Sequence, residues 1–283
     1  MTQGEKTPAL VSAEWLAAHR DDPRVRLVEI AGTGQEDMQL YNAGHIPGAT
    51  CWWWKDALWD SHRRDFPGPE RFAALCSANG IGNDTTVVFY GEGIQFGLYA
   101  WWVYTYCGHR NAAVLDGGRY RWVKEGRPLT QDVPETAPVP YRAVQRREAM
   151  RLSYRDVLAG LGRADRVLLD GRSPEEYQGL RVNTPEGPDV GAVRYGRIPG
   201  ARHIYFQDLL NEDKTFRSAA ELSALMRSLG VDHGREVVTY CRMSHRATVL
   251  YFTLVELLGH ASVRVYDGSW TECGNLVGVP VER

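Results

Sequence analysis

Residues 237–250 read VVTYCRMSHRATVL. Val237, Val238 and Thr239 are β-branched and suit a pleated strand. From about Ala247 onward the apolar residues take helical spacing. Between strand and helix stand Cys241, Arg242, Met243, Ser244, His245 and Arg246, a thiol among two guanidiniums and an imidazole. A strand that turns through a short loop into a helix is the unit of a parallel α/β sheet, and the carboxyl ends of such strands are where these folds hold ligands.

The pattern occurs a second time. Residues 87–102, VVFYGEGIQFGLYAWW, follow the same course, with Gly91 at the place of Cys241. HIPGA at 45–49 returns as RIPGA at 197–201. FAALCSANGIGNDTTVVFYG at 72–91 returns as LSALMRSLGVDHGREVVTYC at 222–241, and YCGHRNAAVLDGG at 106–118 as LLGHASVRVYDGS at 257–269. The spacing stays at 150–152 residues, so the chain reads as a duplication. Each half predicts a strand (25–30; 166–170), the IPGA turn, and a helix ended by Gly80 or Gly230. A second strand follows (85–90; 236–240), then a helix (98–106; 248–258) closed by Gly108 or Gly259, and a third strand (113–115; 263–266). Strands alternating with helices predict an α/β fold in which each domain is a mainly parallel sheet flanked by helices. The proline-rich, polar run from 126 to 148 predicts a linker, dividing the chain into domains 1–130 and 149–283 with 131–148 between them.

Composition narrows the chemistry. With 283 residues, 43% hydrophobic, and a net charge of −2, the chain has ample core and no excess charge for nucleic acid or an anionic membrane. The polar start, MTQGEKTPALVSAEW, has no apolar leader, and no stretch approaches a membrane span. The five cysteines are scattered and form no CxxC or Cys/His ligand spacing. That argues against a disulfide framework and against a metal, and it predicts a reducing, cytoplasmic setting with no cofactor.

Cys241 is the residue with chemistry. A thiol acts as a nucleophile in its thiolate form, and a helix N-terminus beside cations favours that form. Arg242 and Arg246 supply charge, His245 can add more, and the amides of a tight loop can cradle an anionic substrate. Cys51, Cys76 and Cys107 lie in apolar settings and read as inert packing; Cys273 is weighed for a redox or resolving role because DGSWTECGN follows the last strand. Asp170 and Arg172 in LLDGRSPEEY predict a structural ion pair near a strand end, and His45 predicts a turn held by hydrogen bonds; a direct part in the site is the alternative for each. Asp267, Ser269 and Trp270 are expected to face the loop, and the aromatic run CWWWKDALW at 51–59 to fill the interface between the domains. Two other functions compete. Phosphatases and arsenate reductases that work through a loop cysteine use C-x5-R, whereas Cys241 to Arg246 is C-x4-R, a smaller ring better suited to one sulfur. A non-catalytic binding module is the second, and the first half, with Gly91, has that character.

Taken in order, GHIPGAT, RRDFPGPERFAAL, NDTTVVFYG, VLDGGRYRW, LLDGRSPEEYQG, RIPGA, YCRMSHRA and VYDGSWTECGNLVGVPVE resemble segments of the tandem-domain rhodaneses, the thiosulfate sulfurtransferases, of actinobacterial type. The resemblance spans nearly the whole chain. It implies two rhodanese domains, the second catalytic, with Cys241 carrying sulfur as a persulfide from a small anionic donor, thiosulfate, to a thiophilic acceptor such as cyanide or a thiol. It also implies that Arg242, Met243, Ser244, His245 and Arg246 complete the substrate loop. Two departures stand out: Met243 occupies a position that is lysine in the vertebrate rhodaneses, and Glu176 one that is arginine there. Both cations are tied to thiosulfate binding in that family, which leaves Arg242 and Arg246 as the expected sulfonate contacts. The loop also differs from the CGSGVT of mercaptopyruvate sulfurtransferases, making mercaptopyruvate the weaker donor.

Overall fold

Ten short strands form two parallel sheets of five in the computed structural model, which describes residues 7–32, 38–60 and 62–283. The first six residues, part of the polar start, lie outside that range. The chain divides into two units: one ends at Arg147 and takes in Glu212–Thr215, and the other comprises Glu148–Asn211 and Phe216–Arg283. In the first unit, β1 (Leu10–Val11), β2 (Val25–Ala31), β3 (Ala49–Trp53), β4 (Thr86–Gly91) and β5 (Ala112–Leu115) take the order β1-β5-β4-β2-β3. In the second, β6 (Arg151–Leu152), β7 (Arg166–Asp170), β8 (Arg202–His203), β9 (Glu236–Tyr240) and β10 (Val263–Tyr266) take the order β6-β10-β9-β7-β8. The sequence pattern predicts three strands per half; the other two in each sheet are edge strands, whose hydrophobic signal is short or sits beside turn residues.

The physical reason for a sheet covered on both faces is visible in β4, where every residue is buried. The helix at Ile94–Tyr106 that follows it buries ten of its residues, including Trp101 and Trp102, as a helix that is apolar all round must. Helix ends meet the predicted glycines: Gly80 and Gly230 adopt φ values of 65° and 63°, a left-handed conformation that only glycine takes without strain. Among the described residues, no helix is long and apolar enough to cross a membrane.

The duplication extends to individual bonds. Tyr90 Oη accepts the Ile46 amide at 3.3 Å, and Tyr240 Oη accepts that of Ile198 at 3.2 Å, so a tyrosine on each central strand pins its IPGA turn. Tyr41 and Tyr177 donate to the carbonyls of Ala49 and Ala201, both at 2.7 Å. His45 stacks on Tyr41, and its counterpart Arg197 lies over Tyr177. Each turn also bridges to a later segment of its own unit, His45 to Thr130 and Arg197 to Glu282.

Two rings of the aromatic run at 51–59 are buried, Trp52 and Trp54, and both have ring partners within the first unit. Trp52, in β3, meets Phe89 and Tyr104, and Trp54 meets Trp59 and Tyr99 edge-on. The proline-rich stretch before Arg147 runs extended along the same unit, where Val139 N donates to Ser77 O, Arg142 N to Asn83 Oδ1 and Arg147 N to Tyr106 O.

The halves diverge where β4 and β9 end. A Cβ added to Gly91 would lie 2.9 Å from Ile30 O and 3.1 Å from Phe96 Cβ. The first unit therefore has no room for a side chain at the place of Cys241. Gly91→Cys is expected to destabilise the protein by about 1–3 kcal/mol in denaturant unfolding, the cost of overpacking a filled site.

Candidate active site

Cys241 is the first residue after β9, a strand flanked by β10 and β7, and it is 1% exposed. The chain turns through Arg242 and Met243, which are half-buried, to Ser244, whose φ of 72° is left-handed. That turn starts the helix at His245, two residues earlier than the apolar spacing predicts, and the helix runs to Phe252. Its first ladder bond is Thr248 N to Ser244 O, so the preceding amides lie outside the helical ladder, at the end of the helix that meets the loop.

The segment after β10 stitches this loop in place. Ser269 Oγ accepts the Cys241 amide at 3.2 Å and donates to Tyr266 O at 2.9 Å. Trp270 N donates to Cys241 O at 2.9 Å, and Thr271 N to Arg242 O at 3.0 Å. Ser244 Oγ reaches the carbonyl of Asp267 and lies 3.0 Å from its Oδ1, while Arg151 pairs with the same carboxylate at 3.0 Å. Ser244 and Ser269 (φ 53°) are both left-handed without being glycine, and the surrounding bonds hold that strain in place. Asp267 and Ser269 thus meet the loop directly.

The charges depart from expectation. Arg246 does not offer an open fork to a sulfonate. Its Nη1 and Nη2 bond Glu176 Oε2 and Oε1 at 2.5 and 2.9 Å, and Glu176 is fully buried. Burial alone would lower the pKa of Arg246, but the bonds and charge of Glu176 overcome it and hold it above the ordinary value. Glu176 is itself fixed by a capping box: Ser173 N donates to its Oε2 at 3.0 Å at the start of the short helix Pro174–Tyr177. Arg242 has no carboxylate partner among the described residues. Its Nη2 donates to Val190 O at 2.8 Å, its Nη1 sits 3.9 Å from Met243 Sδ, and its buried Nε has no partner. Burial and the neighbouring Arg246 lower its pKa. His245 is buried at the first turn of the helix.

The sequence reading missed two contributors. One is the destination of Glu176, although its capping spacing from Ser173 is a local signal. The other is the insertion between Tyr177 and Arg197, which supplies Val190 O to Arg242 and has no counterpart between Tyr41 and His45. The sequence signal lies ahead of the segments whose spacing is constant: the strands that start at 25 and 166 are 166 − 25 = 141 residues apart, against 197 − 45 = 152 for the IPGA turns.

Among the other sequence-predicted positions, Asp170 and Arg172 form an ion pair, with Oδ2 to Nη2 at 2.6 Å and no solvent exposure on either side chain. The Arg172 guanidinium lies 4.6 Å from the Trp270 ring, the residue whose amide holds Cys241 O, and it donates to Gly196 O at 2.8 Å. Burial works against its charge, and Asp170 more than restores it. His45 turns both ring nitrogens to carbonyls of its own unit, Tyr41 O at 3.0 Å and Asp132 O at 3.1 Å. Cys273 is buried, and burial pushes its thiol up to about 11, a direction that disfavours the thiolate. Among the described residues, no group of three His, Cys, Asp or Glu side chains is placed to hold a metal. Asp170→Asn strands the Arg172 charge in a dry site; a loss of about 3–5 kcal/mol is expected in chemical unfolding.

A family model described as the rhodanese-like domain matches residues 12–125 and again 153–275. "Sulfur carrier protein TtuD" from Thermus thermophilus is 44% identical over 278 residues, covering 97% of this chain and 96% of that one. "Putative thiosulfate sulfurtransferase SseA" from Mycobacterium tuberculosis is 44% identical over 274 residues, covering 96% of this chain and 90% of that one. Among solved structures, YnjE matches with a TM-score of 0.82 at 26% identity, over 97% of this chain and 69% of that one. The anaerobic ergothioneine biosynthesis enzyme of Chlorobium limicola shares the fold, with a TM-score of 0.83 at 24% identity over 97% of this chain and 70% of that one. With both of its domains matched and relatives aligned nearly end to end, the chain belongs to the rhodanese-like family and is a sulfurtransferase.

Proposed function

We propose that the protein moves the outer sulfur of thiosulfate to a thiophilic acceptor through a persulfide on Cys241. The Cys241 thiolate attacks the outer sulfur, the S–S bond of thiosulfate breaks, and sulfite leaves with the electron pair. Cyanide or a thiolate then takes the terminal sulfur, leaving as thiocyanate or a persulfide and returning the thiolate. The observation that carries this reading is a thiol at the carboxyl end of β9, in a short loop that is fastened on both sides and followed at once by a helix N-terminus. Amides held in that way stabilise a small polarisable anion at little reorganisation cost. Arg242 is the cation of the loop that meets the donor, with Met243, Ser244 and His245 shaping the loop. Arg246, Asp170, Arg172, Asp267 and Ser269 hold the frame. His45 belongs to the frame of the first unit.

A second reading keeps the persulfide and changes the acceptor to another protein. The relative called a sulfur carrier protein favours it. The chemistry at Cys241 is the same in both.

Incubation with thiosulfate is expected to add the mass of one sulfur atom to Cys241, and cyanide to remove it with release of thiocyanate. Cys241→Ser should stay folded and lose both. Sulfur transfer surviving in a folded Cys241→Ser protein, or rapid hydrolysis of an aryl phosphate with thiosulfate inert, would overturn the assignment.

A further inference from the structure

The charge on the loop after β9 is set by a residue outside it. Two guanidiniums adjoin Cys241, but Arg246 is clamped by both oxygens of Glu176, at 2.5 and 2.9 Å, with Glu176 fully buried. Such a fork-to-fork pair is neutral as a unit. The other ionic groups that frame the loop are paired as well, Arg172 with Asp170 and Asp267 with Arg151. Arg242 is thus left as the loop cation with no carboxylate partner among the described residues. That single cation also faces the Cys241 thiolate, so each further negative charge on the donor meets less compensation. Thiosulfate carries two negative charges.

We propose that Glu176 tunes the loop's discrimination between sulfur donors by charge, weakening its preference for the thiosulfate dianion relative to singly charged thiosulfonates. The proposal rests on the persulfide reading and deepens it. In the loading step, the Cys241 thiolate attacks the outer sulfur of a thiosulfonate, the S–S bond breaks, and a sulfinate leaves with the electron pair. Charge balances, because thiolate and thiosulfonate together carry the same two negative charges as persulfide and sulfinate. Methanethiosulfonate isolates the effect, since it differs from thiosulfate by a methyl group in place of one charged oxygen. Shape is nearly conserved while one charge is removed.

Glu176→Gln removes the compensating charge and keeps the Ser173 capping box, in which glutamine serves as well as glutamate. The measurement is kcat/KM for thiosulfate and for methanethiosulfonate, with cyanide as acceptor, in the wild type and each variant. Glu176→Gln is expected to shift the ratio about tenfold toward thiosulfate, the order expected when one unit charge within a nanometre acts on a double rather than a single negative charge. Arg242→Gln, at a half-buried position, is expected to shift the ratio the other way by a similar factor, and it keeps the test open should Glu176→Gln not fold. High salt should compress both shifts. A ratio unmoved in a folded Glu176→Gln protein, or in Arg242→Gln where the first does not fold, refutes charge selection; rates that fall equally for both donors would show that Glu176 only positions Arg246. Failure of the wild type to load sulfur from either donor would instead sink the persulfide reading, and this proposal with it.

Discussion

A guanidinium sealed away from water is the constraint around which the second unit is built. Arg172 has no exposed surface, and the Asp170 carboxylate at 2.6 Å is the counter-charge paired with it there. The strand register places Asp170 beside Tyr240, the last residue before the thiol. The same guanidinium lies against Trp270, whose backbone amide holds the carbonyl of Cys241. Sheet, ion pair and stacked ring therefore meet at one point, and that point fixes where Cys241 begins its loop.

Duplication explains why the frame is so fully determined, and also why only one copy carries a thiol. The tyrosine that receives the amide of the IPGA turn, the ring packed beneath that turn, and the bridge to a later segment occur in both units. What differs is the end of the central strand. In the first unit Phe96 and the carbonyl of Ile30 close on Gly91, and a Cβ has no space. In the second, the chain turns through a left-handed Ser244 whose hydroxyl is satisfied by Asp267, and the loop has room for a thiol. Strained serines at two points around one loop are costly unless their surroundings over-determine them, and here side-chain and backbone bonds from the 267–271 segment do so.

The electrostatics of the loop follow from pairing and not from a count of cations. Read as a string, CRMSHR holds two arginines and a histidine next to the thiol. In space, one arginine belongs to Glu176, and burial of that pair makes its geometry rigid. Arg242, on the half-buried side, has no such carboxylate among the described residues and reaches Val190 O, a carbonyl of the insertion absent from the first half. The two arginines of the loop thus differ in standing: one is spent on structure, and the other is the cation that the proposed reaction draws on.

The sequence by itself determined the duplication, the alternation of strands and helices, the glycines that end the helices, and the thiol at a strand end. These are local signals: β-branched runs, helical spacing and turn residues act over a few neighbours, and a repeat of near-constant spacing makes them visible twice. Even Asp170 and Arg172, two positions apart, were readable as a pair because their contact is local. The partner of Arg246, seventy residues distant, was decided by the tertiary structure, as were the packing of the Trp52 and Trp54 rings inside one unit and the seating of Ser269 under the Cys241 amide. The physical reason is that charge and hydrophobicity specify what kind of partner a side chain needs, whereas the register of parallel strands decides which such partner lies within reach.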